Sequence, residues 1–115
     1  MTANFLVDLQ RPDGLWNCFL REPDTTPDTA ASAGIAAAIA LGVKHGILPP
    51  ELKENALRTF IALQPYLTPD GYLTGVSQVD KGGEALQRED YRVIAQFGMG
   101  LMAQLTAALG SDALP

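Results

Sequence analysis

Apolar residues occupy almost every helical position of "TAASAGIAAAIALGVKHG" (residues 29–46), and most of them are alanine or glycine. A helix that is apolar all round is a buried one, and small side chains let neighbours approach it from several directions. Its ends are marked. Thr26 is placed to cap, Pro27 suits the first helical position, and Asp28 adds negative charge to the first turn. Lys44 and His45 suit the C-terminal end, Gly46 supplies a left-handed stop, and Pro49 and Pro50 prevent continuation. The pattern then changes. From Pro50 to Gln64 the apolar Leu52, Ala56, Leu57, Phe60, Ile61 and Leu63 form one stripe, with Glu51, Lys53, Glu54 and Arg58 facing water. This predicts an amphipathic outer helix, and the short link makes an antiparallel pair with the inner one. A third helix is expected over "DYRVIAQFGMGLMAQLTAALG" (90–110), again apolar round most of its circumference. Gly98 and Gly100 would permit close backbone contact there, and Gly110 would stop it. Residues 3–10 read as the end of another outer helix.

The elements repeat. "RPDGLWNCFL" and "TPDGYLTGV" each follow an apolar helical stretch and each precede a loop and an inner helix, with Asp13 and Asp70 57 positions apart. Pro-Asp-Gly is a tight-turn sequence in which Pro presets φ and Gly takes φ > 0. One corner per helical hairpin predicts an all-α fold: part of an (α/α)6 six-hairpin toroid, with about two hairpins and short extended segments at the corners. The whole of residues 1–115 is expected to be one domain, a section of such a barrel. Two hairpins cannot close a ring, so exposed inner faces would be covered by self-association or by a partner that completes the barrel.

Composition narrows the function classes. The charged fraction of 18% and hydrophobic fraction of 47% are globular values. The net charge is −5, and no Lys/Arg cluster appears, which argues against nucleic acid as a partner. No uncharged stretch approaches twenty strongly apolar residues, so no membrane partner is expected. The N-terminus lacks a basic n-region and a long apolar h-region. The single cysteine, Cys18, cannot form an internal disulfide and fits a reducing compartment. A cytoplasmic location is the expectation.

Candidate chemistry is concentrated in the loops before the inner helices. Asp24, Asp28, Asp80, Glu84 and Asp90 fall there, where a pair of carboxylates can serve as general acid and base or simply cap helices and face water. In "GVSQVDKGGEALQREDYR" the residues Gln78, Glu84, Gln87, Arg88, Tyr91 and Arg92 are dense enough to line a polar pocket. The segment lacks the Gly-Lys-Ser/Thr of a phosphate loop. Trp16 either packs over the barrel end or offers a stacking platform for a sugar ring. His45 suits a helix C-terminus, and with one histidine in the chain no metal or triad site is expected. Cys18 reads as a small buried hydrophobe. No cofactor is implied.

The stretches "DGLWNCFLREPDTTPDTAASAGIAAAIALGVKHGIL", "DGYLTGVSQ" and "YRVIAQFGMGLMAQL" together resemble the C-terminal portion of glycoside hydrolase families 88 and 105, the unsaturated glucuronyl and rhamnogalacturonyl hydrolases. The resemblance implies a six-hairpin (α/α) barrel and an unsaturated uronic-acid oligosaccharide as substrate. In such enzymes an aspartate protonates the enol-ether double bond and water then adds. The family's catalytic aspartates lie in the N-terminal half of the barrel, which has no counterpart here, so no catalytic residue is carried over and the chain alone is expected to be inactive. Trp16, Asp28, Ser32 and Gln78 match the family pattern near the barrel mouth, and the resemblance implies that they face substrate. "LQRPDGLW" also resembles the Gln-Trp repeat of terpenoid cyclases and prenyltransferases, another (α/α) toroid. At the second corner that pattern has a longer gap and no Trp, and no aspartate-rich cation-initiating motif is present. A non-catalytic helical module that homo-oligomerises is the third reading.

Overall fold

A computed structural model describes residues 2–22, 25–77, 83–89 and 91–110. In chain order these form α1 (Thr2–Asp8), α2 (Thr29–Lys44), α3 (Lys53–Leu63), the two-residue strand β1 (Val76–Ser77), α4 (Gly83–Arg88), strand β2 (Arg92–Val93) and α5 (Gln96–Leu109). Single 3-10 turns, Pro50–Leu52 and Gln64–Tyr66, flank α3. The outer helix expected over 50–64 is therefore α-helical only in its middle, because Pro50 and Pro65 each withhold a backbone donor at its ends.

Helix α2 is the centre. It packs on α3 and α5, and it buries Ala30, Ala33, Ala36, Ala37, Ile39 and Ala40. Around them close Leu15, Trp16, Ala56, Leu63, Leu73, Val76, Met102, Leu105 and Leu109. Its N-cap is Asp28, not Thr26: the Asp28 carboxylate accepts from the Ala30 amide at 3.1 Å, and Thr29 is the first helical residue. Pro27 instead sits in an isolated bridge with Asn17, where its fixed φ suits extended backbone. At the other end Gly46 has φ 74°, and the Ile47 amide returns to the Gly42 carbonyl at 2.8 Å.

The third helix begins later than its sequence suggests. Residues 92 and 93 are not helical but pair with β1 in an antiparallel ladder, Ser77 opposite Arg92 and Val76 opposite Val93. The ladder takes up backbone groups of both strands, and the helix starts only at Gln96. Gly98 lies flush against β1, where an added Cβ would stand 2.9 Å from Val76 Cγ2, whereas Gly100 has nothing within 4 Å. The expected close approach exists at Gly98 alone. Likewise α5, apolar on most sides, buries only Gly98, Met102, Leu105 and Leu109. Phe97, Ala103 and Ala107 stay exposed.

The two corners share one backbone. In the first, the Arg11 amide donates to the Leu15 carbonyl at 2.8 Å and the Gly14 amide to Arg11 at 2.9 Å. In the second, Thr68 donates to Tyr72 at 2.8 Å and Gly71 to Thr68 at 2.9 Å. Gly14 and Gly71 have φ 96° and 93°. Every residue of the second set lies 57 positions after its counterpart, so the repeat holds at the level of single hydrogen bonds. Only the side-chain support differs: Asp13 caps the Leu15 amide, and the Thr68 hydroxyl caps the Tyr72 amide.

Candidate functional site: the end carrying the helix N-termini

Helices α2 and α5 start at the same end. An added Cβ on Gly98 would lie 3.7 Å from Ala30 Cβ, one on Gly34 would lie 3.5 Å from Leu101, and β1–β2 spans the two N-termini. The loops before the inner helices thus converge, as the repeat predicts, and they are tied across units by two charged side chains.

Asp28 is the first tie. Besides capping Ala30, its carboxylate accepts from the Ser77 amide at 3.1 Å and from the Ser77 hydroxyl at 2.9 Å. One carboxylate therefore holds a helix start in one unit and a strand in the next. Such an arrangement leaves little of the carboxylate free for another partner. Ser32 lies one turn along. Its hydroxyl accepts from the Trp16 amide at 2.9 Å and donates to the Asp28 carbonyl at 2.8 Å, and it is fully buried. Trp16 is 0% exposed, with its indole Nε1–H donating to the Leu6 carbonyl at 2.8 Å. It has no open face on which a ring can stack. Of the four residues that the family resemblance points to, Trp16, Asp28 and Ser32 form one hydrogen-bonded knot; Gln78 lies outside the described residues.

Arg92 is the second tie, running the other way. Its guanidinium donates to the carbonyls of Pro27 at 3.0 Å, Thr26 at 3.1 Å, Gln87 at 3.0 Å and Tyr91 at 2.8 Å, and to the Thr26 hydroxyl. A planar fork of donors suits a set of converging carbonyls better than an ammonium would. Sequence reading placed Arg92 in a pocket wall; the fold uses it to fasten loop to helix.

The segment expected to line a polar pocket forms α4, and α4 lies over the loop at residues 17–22. Arg88 pairs with Glu22 at 2.8 Å and with Glu84 at 3.0 Å, while its guanidinium sits 4.3 Å from the Phe19 ring centroid. The hydrogen bond that Arg88 donates to Glu22, then the one it donates to Glu84, holds the Arg88 pKa above its ordinary value. Its charge is therefore fully present at every working pH. Cys18 Sγ meets Gln87 Oε1 at 3.5 Å and is half-buried, more open than the expected buried hydrophobe. Glu84, Arg88 and Tyr91 are exposed, and Arg88 latches this short helix to the body. His45 is exposed at the C-cap of α2, as its position suggests. Asp24, Asp80 and Asp90 lie outside the described residues.

Cavities open elsewhere among the described residues. One of about 590 Å³ opens beside the first corner, lined by Asp8, Gln10, Arg11, Asp13, Asn17 and Arg21 among others. Arg11 there is engaged by Asp13 at 3.1 Å and Asn17 at 2.6 Å, and Arg21 lies over Phe5. Another, about 490 Å³ and mostly apolar, runs between α3 and α5. Among the described residues no group of three or more His, Cys, Asp and Glu converges as a metal site, and no helix is long and apolar enough to cross a membrane.

The profile of Glycosyl Hydrolase Family 88 matches residues 2–109. The chain belongs to that family. Family 88 membership decides against the Gln-Trp repeat, whose toroid has the same general form. An unsaturated 3S-rhamnoglycuronyl hydrolase from Alteromonas sp. (strain LOR) is 30% identical over 101 residues, 85% of this chain and 24% of that protein. The unsaturated rhamnogalacturonyl hydrolase YesR of Bacillus subtilis (strain 168) is 33% identical over 99 residues, 84% of this chain and 27% of that protein. The chain thus spans about a quarter of the length of the curated relatives it matches. Among solved structures, a possible member of the GH105 family from Salmonella enterica serovar Paratyphi A superposes with a TM-score of 0.82 at 19% identity, over 92% of this chain and 29% of that one. A family 88 glycosyl hydrolase from Bacteroides vulgatus gives 0.74 at 20% identity, over 93% and 32%. These likenesses establish the fold as part of an (α/α)6 barrel, the architecture read from the repeated corners.

Proposed function

We propose that this chain forms part of the wall and mouth of a glycosidase acting on unsaturated uronic-acid oligosaccharides, and that it supplies scaffold there, not the catalytic acid. The observation that carries the reading is the state of Asp28. The Asp28 carboxylate at the mouth is held by two amides and a hydroxyl, an engagement that suits a structural tie and not an acid free to reach an enol ether. Similarity to two unsaturated-uronide hydrolases over most of this chain supports the substrate class. On this reading Trp16 and Ser32 position the mouth loop, and Gln78 contacts sugar.

The test is to incubate the purified chain with an unsaturated rhamnogalacturonan disaccharide and follow the ultraviolet absorbance of the enol ether. No loss of absorbance is expected from this chain alone, together with weak binding visible by saturation-transfer NMR. Hydrolysis by the isolated chain would show that it holds its own acid and would sink the scaffold assignment. An absence of any sugar contact would favour the alternative, a non-catalytic helical module that functions by association.

A further inference from the structure

The chain carries five arginines, and four of them spend their N–H donors within the fold. Arg11 donates to Asp13 and Asn17, Arg58 to the Pro12 carbonyl, Arg88 to Glu22 and Glu84, and Arg92 to a set of carbonyls. Arg21 is held in another way. It is exposed, and its described contact is the Phe5 ring, whose centroid lies 4.9 Å from the guanidinium. An aromatic face steadies a cation through its quadrupole and leaves the planar fork of donors for a further partner. That fork stands on the wall of the cavity of about 590 Å³ beside the first corner. Clefts that take small molecules run from roughly 300 to 1,000 Å³.

The rest of the lining narrows the chemistry of the partner. Arg11 and Arg21 face Asp8 and Asp13 across this space, so opposite charges balance and a bare anion gains little from net charge. Asp13 is already paired with Arg11 at 3.1 Å, whereas Asp8 is exposed and offers acceptor oxygens. Asn17, only 7% exposed, adds a side-chain amide, and Leu9 and Leu20 add apolar surface. A carboxylate-binding fork, acceptors for hydroxyls and an apolar wall together suit a sugar acid. Arg21 also stands 57 positions before Gln78, so, counted from the corner, it takes the place in the first unit that Gln78 takes in the second. We infer that Arg21 binds the carboxylate of a uronic-acid residue in this cavity, with ring hydroxyls meeting Asp8 and Asn17. The inference rests on the uronide reading above for the class of ligand, and on Arg21, Phe5 and the cavity for where its acid group sits.

The experiment titrates the full chain, labelled with nitrogen-15, with methyl α-D-galacturonide and with methyl α-D-galactoside. These differ only in a carboxylate for a hydroxymethyl group. The Arg21 Nε–H signal is the one that Arg21→Gln removes, and the Asn17 side-chain amide is a second reporter that survives the substitution. Saturable shifts of both signals with the galacturonide are expected, and the galactoside should bind at least about tenfold more weakly. Arg21→Gln, read at Asn17, should weaken galacturonide binding by a similar factor and leave the galactoside unchanged. Arg21→Lys keeps a cation over Phe5 without the fork and should fall between the two, which separates lost binding from a loosened α1. Equal affinity for the two glycosides, an Arg21 signal that stays still, or undiminished galacturonide binding by Arg21→Gln would each overturn the inference. So would acetate that moves both signals at the same concentration as the galacturonide, since the site would then take any small anion. Saturation transfer to the galacturonide without movement at Arg21 would sink this inference alone and leave the uronide reading standing.

Discussion

Gly98 and Gly100 sit two residues apart on the same helix, and their neighbours give them opposite values. Alanine at 98 would push a methyl to 2.9 Å from Val76 Cγ2, and Val76 is itself fully enclosed and cannot yield. Overpacking of that kind costs about 1–3 kcal/mol, more than the gain of about 1 kcal/mol from helix propensity. At 100 only the gain operates. Urea denaturation should therefore show Gly98→Ala destabilised and Gly100→Ala stabilised by about 1 kcal/mol. Asp28 makes a second residue-scale contrast. Removing its carboxylate with Asp28→Ala takes away a helix cap and both bonds to Ser77, and a loss of about 2 kcal/mol is expected in the same measurement. Asp28→Asn keeps an acceptor for the Ala30 and Ser77 amides and should lose less. Equal losses for the two variants would mean that charge, not acceptor geometry, holds the mouth.

Among the elements, α2 and α5 differ most at their starts. Asp28 caps one, while Ala95 precedes the other with φ −134° and ψ 145° and no side-chain cap. Those angles already suit a capping residue, so Ala95→Ser should stabilise by about 0.5–1 kcal/mol, read as a rise in denaturant midpoint at constant slope. For α4 the informative probe is the lone cysteine. Arg88→Ala removes the pairing with Glu22 and the stacking on Phe19, and should speed thiol labelling of Cys18 roughly threefold to tenfold as α4 lifts from it. An unchanged rate would mean that Gln87 and Arg92 hold α4 without the latch. The same elements show what the sequence makes legible. The helices α2 and α3 and both corners are visible because periodicity, proline and glycine act locally. The strand at Arg92–Val93 is not visible, since its pairing partner is fixed by tertiary contact with Val76–Ser77. For Trp16 the sequence leaves open packing over the barrel end or a stacking platform, and the fold buries it; the fastening role of Arg92 is hidden, because the Pro27 and Thr26 carbonyls it reaches lie 65 and 66 residues back along the chain. A cluster of polar residues in a loop reads the same whether it lines a pocket or latches one segment to another, and the described part of this one latches α4 through Arg88.

For the whole molecule, ties that cross between units should make the two hairpins unfold together. Asp28 reaches forward to Ser77, and Arg92 reaches back to Thr26 and Pro27. Fluorescence of Trp16, the only tryptophan, reports the first unit, and far-ultraviolet circular dichroism reports every helix. The two urea transitions should coincide. Separate midpoints would mean that each hairpin stands alone. The alanine seam of α2 has a consequence of its own. Leucine, methionine or isoleucine gives up rotamer freedom when buried, whereas alanine has none to give up. The contact surface formed by Ala30, Ala33, Ala36, Ala37 and Ala40 is thus ordered at almost no side-chain entropy cost. It also has no alternative rotamers with which to absorb a change. The shape of this inner wall is the shape of its backbone, and a substitution along it must move a helix.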